Sequence, residues 1–255
     1  MKKINLMVAG ALGAMGQTLI QCINESENFN LTCGFDRKTL KLSEFNIYSS
    51  TQHIDEKIDC VIDFSHYTAA KTIAEFCIKN KLPLVSATTG LSENDENFIK
   101  DASRYIAVVR SKNYSYGVNV LNKIISYAAK LLYEDFDIEI IEAHHNKKAD
   151  APSGTAQLLA DTIKNSVNFE GELVYGRYGK ECKRKKGDIT VHSVRGGTIP
   201  GEHEVVFCGN DEIIKISHSA LSKKIFAMGS LKAAAFIIGK SNGYYTMEDI
   251  ININE

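Results

Sequence analysis

Over the first ~110 residues, short apolar runs alternate with longer amphipathic ones, the rhythm of a parallel α/β sheet. Ile4 to Val8, Leu31 to Phe35, Ile58 to Asp63, Leu84 to Ser86 and Ile106 to Arg110 read as strands. Several are apolar without interruption, as strands buried on both faces are. Between them, Ala14 to Ile23, Thr68 to Asn80 and Asn94 to Ser103 read as helices. The pattern then changes. Apolar residues at 118, 121, 125, 128 and 132 predict one helix, Val118 to Leu132, followed by a strand, Asp137 to Ala143, and a helix, Ala156 to Ile163. Ile189–Val194, Glu204–Phe207 and Ile213–Ser217 are successive strands divided by Gly, Pro, Asn and Asp, which suggests an antiparallel sheet. The Ala- and Ile-rich helix Ile225 to Ile238 has a natural place back against the first sheet, which makes the second domain an insertion.

With 44% hydrophobic and 24% charged residues, the 255-residue chain is an ordinary globular one, long enough for one large domain or two modest ones. A net charge of -1 gives no general pull toward nucleic acid or anionic membrane, so an anionic ligand must be held by local groups. The basic run Lys180 to Lys186 lacks interleaved aromatics and reads as a solvated loop. Cys22, Cys33, Cys60, Cys77, Cys182 and Cys208 are scattered without a C-x-x-C pair, which suits a reducing compartment. No apolar stretch reaches the ~18 residues of a transmembrane helix. Met1-Lys2-Lys3 ahead of Ile4 to Ala14 imitates a secretory signal, but the glycine spacing there has a better explanation.

That explanation is phosphate binding. Gly10-Ala11-Leu12-Gly13-Ala14-Met15-Gly16 joins the first strand to the first helix. A tight turn there needs residues without Cβ, and a pyrophosphate approaches backbone only where side chains are missing. The helix start then offers free N–H groups. Asp36, twenty residues beyond Gly16, ends the second strand where a carboxylate meets the adenosine ribose. Arg37 beside it can pair with a 2′-phosphate, so the two together leave NADH and NADPH both open.

A second concentration of chemistry runs from His144 to Thr155. If His144 and His145 serve one site, the chain must leave its strand at about this point, because consecutive strand residues face opposite ways. Asp150-Ala-Pro152-Ser153-Gly154-Thr155 then opens a helix, with Ser or Thr to cap it and Gly154 to admit an anion. Imidazole, ammonium and an anion-binding helix end within about a dozen residues suit reduction of a carboxylated substrate with proton delivery. A metal site of Glu142, His144, His145, His192 and His203 is the rival reading; it lacks His-x-x-x-His spacing and is set aside. A merely solvated loop does not account for Pro-Ser-Gly-Thr opening a helix.

These residues resemble the dihydrodipicolinate reductase (4-hydroxy-tetrahydrodipicolinate reductase) family of lysine and diaminopimelate synthesis. The resemblance runs along nearly the whole chain. It includes Val8 to Gly16, Asp63-Phe-Ser65, Ala87-Thr-Thr-Gly90, Asn113 to Asn119, the fourteen residues Glu142 to Thr155, Ser193 to Gly197, Gly201-Glu-His203 and Gly243 to Asp249. It implies a Rossmann-like dinucleotide-binding domain with a parallel sheet, residues 1–113 and 222–255. It also implies an inserted α+β substrate-binding and oligomerisation domain with a mixed sheet, residues 114–221. Hinges would lie near Asn113–Ser115 and Ala220–Lys224. Gly10, Ala11, Leu12, Gly13, Ala14 and Met15 would hold the pyrophosphate, and Asp36 and Arg37 the ribose. Ala87, Thr88 and Thr89 would line the nicotinamide side with Ser111, Lys112, Asn113 and Tyr114. His144 would be the proton donor and acceptor and Lys148 a proton donor. His145, Gly154 and Thr155 would bind a small dicarboxylate, with Ser153 adjacent. The implied reaction is hydride transfer to C4 of the cyclic imine after its hydroxyl leaves as water, then protonation at the neighbouring carbon. Cytoplasmic location, a homotetramer and no resident metal go with it.

The departures are informative. Ala14 stands where many relatives carry an arginine that helps hold the 2′-phosphate, which leaves NADH at least as expected as NADPH. His66-Tyr67 replaces a common Pro-Glu, Lys112 sits where a small residue or Pro is usual, and Ala87 replaces a common glycine. The alternatives are a related amino-acid dehydrogenase or a non-catalytic nucleotide sensor on the same fold. Neither has reason to keep the His-His…Lys…Ser-Gly-Thr arrangement.

Overall fold

A computed structural model describes residues 2–251; Met1 and residues 252–255 of the dinucleotide-binding assignment lie outside it. The chain forms two compact units, Met1–Tyr116 with Lys223–Glu255, and Gly117–Ser222.

The first unit runs β1 (Ile4–Ala9), α1 (Ala14–Asn24), β2 (Phe29–Phe35), β3 (Leu40–Lys41), β4 (Asn46–Tyr48), β5 (Cys60–Asp63), α2 (Tyr67–Asn80), β6 (Leu84–Ser86), α3 (Glu93–Ala102) and β7 (Ala107–Arg110). The second takes α4 (Tyr116–Leu132), β8 (Asp137–His144), α5 (Gly154–Ser166), β9 (Leu173–Tyr175), β10 (Ile189–Arg195), β11 (Glu202–Cys208) and β12 (Ile213–Ser219). The chain then returns to the first unit through α6 (Lys224–Ile237), β13 (Gly243–Tyr245) and α7 (Met247–Ile251).

The first sheet has eight strands in the order β13-β7-β6-β5-β1-β2-β4-β3, parallel except for the β3–β4 edge pair. Alternation along β1 explains its two cores. Leu6 and Val8 face a layer with Leu19 and Ile23 of α1 and Ala234 and Ile237 of α6. Met7 and Ala9 face Ile73 and Cys77 of α2 and Ile99 of α3. Most of these side chains are fully buried, and each aliphatic one contributes about 1.5–3 kcal/mol. The last helix therefore does return to the first sheet, and β13 adds a further parallel strand beside β7. Helix α3 starts on a Ser92 cap with Glu93, Asp95 and Glu96 in its first turn, where carboxylates offset the helix dipole.

The second sheet corrects one expectation. Its order is β12-β11-β8-β10-β9, so β10 pairs with β8 in parallel and not with β11. Only β8–β11 and β11–β12 are antiparallel. The sheet is mixed, as the resemblance implied, and the antiparallel pattern suggested by strand succession holds for part of it. One face carries Ile138, Ile140, Val191, Val205 and Phe207 against Leu121 and Ile125 of α4 and Leu159 and Ile163 of α5. The other presents Ile141, Val194 and Ile213 as exposed apolar side chains.

Candidate active site

In the first unit the ends of β1, β2 and β5 enclose a cavity of about 420 Å³ lined by Gly10, Gly13, Asp36, Arg37, Ser65 and His66. It lies where the strand order reverses about β1, the position at which doubly wound sheets hold ligands. The glycines are required by contact. Gly10 has φ +79°, and a Cβ there would lie 2.5 Å from the Phe64 carbonyl oxygen. A Cβ on Gly16 would lie 2.0 Å from the Gly10 oxygen. Gly13 begins α1 with no side-chain cap, which leaves first-turn N–H groups for an anion. Leu12 and Ala14 are exposed, Met15 half-buried and Ala11 buried.

Asp36 is fixed by its neighbours. Its carboxylate accepts the Leu12 N–H at 2.8 Å and the Arg37 N–H at 2.7 Å, and the Arg37 side chain is exposed. A nicotinamide dinucleotide fits this set: an uncovered backbone cradle, an uncapped helix start and a half-buried acid facing one cavity.

The segment after β6 carries Ala87 and Thr88, both buried, and Thr89, which is exposed. Ala87 causes no backbone strain, since Lys81 alone among the described non-glycine residues has a positive φ. Beside it, Asp63 is fully buried and its carboxylate accepts the Ser65 N–H at 2.8 Å. Burial raises this carboxyl, against the lowering effects of Ser65, Thr88 and Arg110. After β7, the Ser111 hydroxyl donates to the Asn113 carbonyl and accepts the Asn113 N–H, and Lys112 is exposed. The Tyr114 hydroxyl donates to the carbonyls of Ser86 and Val109 at 2.9 Å, so its side chain belongs to the core and only its backbone can meet a ligand.

In the second unit β8 ends at His144, and His145 lies beyond it. The condition set by the sequence is met: the chain leaves the strand between the two histidines. The cross-strand register places Glu142 and His203 opposite each other, with His218 beyond, on the helix-covered face. Arg195 stands level with His144 on β10. The His144 Nδ1 lies 2.6 Å from Oε2 of Glu142, whose side chain is wholly buried. Arg195 donates to both oxygens of Glu142, at 2.8 and 2.7 Å, and the Ser153 N–H donates to Oε1 at 3.1 Å. Burial would raise the Glu142 carboxyl, but Arg195, His144, Ser193 and Ser153 bring it down to about 2. His203 packs edge-on to His144 at 5.1 Å between ring centroids. Burial, aided by the nearby His144, lowers the His203 imidazole to about 4, so it is neutral near pH 7.

Lys148 turns back toward the strand end, its N–H donating to the His145 carbonyl and its ammonium 2.8 Å from Asp150. That contact lowers the Asp150 carboxyl. The His145 Nδ1 is buried and has no hydrogen-bond partner among the described residues, which fits a ligand contact. Ser153 is the cap of α5: its hydroxyl accepts the Ala156 N–H at 3.2 Å and lies 3.0 Å from His203 Nε2. Its side chain is therefore spent within the protein. Gly154 is exposed with open space where a Cβ would stand, and Thr155 follows in the first turn of α5.

His144, His145, Lys148, Ser153, Gly154 and Thr155 thus gather at one end of the second sheet, and the dinucleotide residues gather in the first unit. Sequence reasoning placed Arg195, Glu142 and His203 within segments of the resemblance but gave Arg195 no role, and gave Glu142 and His203 none beyond that of conceivable metal ligands. The available signal for Glu142 was its place two residues before His144, on the same face of a strand. His192 lies on the opposite face, bound to Glu139, and among the described residues no three His, Cys, Asp or Glu side chains gather as a metal site requires.

Comparison with known proteins covers both units. Residues 4–114 match the family model described as dihydrodipicolinate reductase, N-terminus, and residues 117–251 match the one described as its C-terminus. A 4-hydroxy-tetrahydrodipicolinate reductase of Caldanaerobacter subterraneus subsp. tengcongensis is 47% identical over 97% of this chain and 98% of its own length. One of Clostridium tetani is 42% identical over 98% of this chain and 97% of its own length. A solved dipicolinate-bound dihydrodipicolinate reductase from Paenisporosarcina sp. TG-14 superposes with a TM-score of 0.81 at 21% identity. It covers 98% of this chain and 100% of that one, and it speaks for the fold alone.

Proposed function

We propose a division of labour for this chain, which belongs to the dihydrodipicolinate reductase family. It is an NAD(P)H-dependent oxidoreductase that reduces 4-hydroxy-tetrahydrodipicolinate to tetrahydrodipicolinate in lysine and diaminopimelate synthesis. The first unit, near 1–113 and 222–255, binds the dinucleotide; the second, near 114–221, binds the dicarboxylate and supplies protons. The chain crosses between units beside Asn113–Ser115 and Ala220–Lys224, which we take as the hinges.

Gly10 to Met15 hold the pyrophosphate, and Asp36 and Arg37 hold the adenosine ribose. Ala87 to Thr89 and Ser111 to Tyr114 flank the nicotinamide, Tyr114 through its backbone. The bound nicotinamide supplies a hydride to C4 of the substrate. His145, Gly154 and Thr155 receive the substrate carboxylates, the last two through the N-terminus of α5. The C4 hydroxyl leaves as water, and the carbon beside C4 takes a proton at the His144–Lys148 end of the site. One substrate, one NAD(P)H and one proton thus become tetrahydrodipicolinate, NAD(P)⁺ and water. NADH serves at least as readily as NADPH, because the Asp36 carboxylate is held at the ribose end and position 14 lacks a cation.

No described helix is long and apolar enough to cross a membrane, and we place the enzyme in the cytoplasm. The apolar residues Ile141, Val194 and Ile213 on the open face of the second sheet support assembly as a homotetramer. The observation that carries the reading is the concentration of His144, His145, Lys148 and the open Gly154 at one sheet end, in a chain matched to the family along its length. Mixing aspartate semialdehyde and pyruvate with the preceding synthase and this protein tests it, by following NADH and NADPH oxidation separately.

A further inference from the structure

We propose that Glu142, clamped by Arg195, is a positioning residue: it holds the proton of His144 on Nδ1 and leaves Nε2 as the atom that exchanges protons with the substrate. The inference rests on His144 being the proton donor of the reductase reading.

The geometry allows Glu142 one role. Its side chain is wholly buried, Oε2 lies 2.6 Å from His144 Nδ1, and the Arg195 fork and the Ser153 N–H take up its other acceptor positions. Held at about 2, the carboxyl is ionised at any working pH and only accepts. A carboxylate at Nδ1 keeps that nitrogen protonated in both states of the ring, so the proton that comes and goes is the one on Nε2. No side chain fits on the backbone that passes this nitrogen. Gly201, with φ +154°, approaches it so closely that a Cβ would stand 3.0 Å from Nε2.

The charges facing His144 are few. Glu142 on β8 is negative and already neutralised by Arg195 on β10. His203 on β11 is held neutral, and its Nε2 is engaged by Ser153 at the start of α5. His218 on β12 is lowered by burial, and the Lys148 ammonium is paired with Asp150. Proton release from Nε2 to the substrate carbon leaves a neutral imidazole still bonded to Glu142 through Nδ1–H.

Glu142→Gln tests this, because a carboxamide can donate to Nδ1 and drive the ring proton onto Nε2. In hydrolases built on the same pair that change costs about 10⁴ in turnover, and here kcat/KM should fall by ~100-fold or more. The limb of the kcat/KM profile that belongs to His144 should move to lower pH, while the NADH Kd stays unchanged. ¹⁵N spectra of histidine-labelled protein should show His144 as the Nδ1–H tautomer in the wild type and Nε2–H in the variant. A folded variant with wild-type pH profile and tautomer overturns the proposal. If the variant does not fold, an Nε2–H tautomer in the wild type overturns it and an Nδ1–H tautomer upholds it. A wild-type protein that oxidises no cofactor would instead sink the reductase reading, and the tautomer result would still stand or fall separately.

Discussion

Replacing Arg195 by alanine removes two hydrogen bonds to a carboxylate that has no access to water. Glu142 would keep His144 and the Ser153 N–H but lose the permanently charged guanidinium paired with it. Breaking a buried pair from one side typically costs 3–5 kcal/mol, because the remaining charge is left uncompensated. The carboxyl offers an independent check. A tenfold change in proton affinity is about 1.4 kcal/mol, so a group held at about 2 and not 4.5 stabilises the fold by about 3 kcal/mol. That figure is the net effect of Arg195, His144, Ser193 and Ser153 against burial, and it is of the same order as the cost of breaking the pair. The sign follows from the depressed value: this stability is present in full above pH 4.5 and is lost as the pH falls toward 2. We expect Arg195→Ala to lower the melting temperature near neutral pH by roughly 6–12 °C. Its carboxyl should also titrate higher, so less stability is left to lose on acidification, and that loss should be smaller and complete at higher pH than in the wild type. Urea and thermal unfolding between pH 2 and 7 measure both effects. A variant with unchanged melting temperature and an unchanged acid limb would refute the clamp.

Three further outcomes follow from the same geometry. Asp36→Ala removes the acceptor that the proposed cofactor site assigns to the ribose, so the NADH Kd should rise about tenfold and NADPH should gain relative to NADH in fluorescence titrations. Ser153→Ala removes the α5 cap and the partner of His203 Nε2, and urea unfolding should show a loss of about 1–2 kcal/mol. His144→Gln and Lys148→Ala should each cut kcat by orders of magnitude with little change in NADH affinity, and loss of NADH binding in either would mean the proton site is misplaced.

Much of this architecture was legible because it is local. The glycine loop and Asp36 follow from what a tight strand-to-helix turn can accommodate, and β1, β5 and β7 announce themselves by the apolar runs Leu6–Ala9, Cys60–Ile62 and Ala107–Val109. The exit of the chain from β8 at His144 followed from two polar rings that could not share a strand face. Pairing was not legible. Nothing within Ile189–Arg195 says that its partner is β8 and not the next strand, since register and neighbour are set by packing against α4 and α5. The two-residue β3 and the three-residue β4, β9 and β13 were too short to show a period. Ser153 and Tyr114 show the same limit at the level of side chains. Each was read as facing a ligand, and each hydroxyl is committed inside the protein, because hydrogen-bond partners fifty or twenty-eight residues away leave no mark on local sequence. Arg195, although within the Ser193–Gly197 segment, was given no role for that reason too: its partner Glu142 is fifty-three positions back.

In the function proposed for this chain, the constellation around His144 and Lys148 reduces a cyclic imine with a nicotinamide cofactor. The coupled assay tests it most directly: aspartate semialdehyde, pyruvate and the preceding synthase, with NADH or NADPH followed by absorbance. Oxidation should be rapid and should require this protein and every substrate, with NADH at least as effective as NADPH. Absence of protein-dependent oxidation with both cofactors would contradict it.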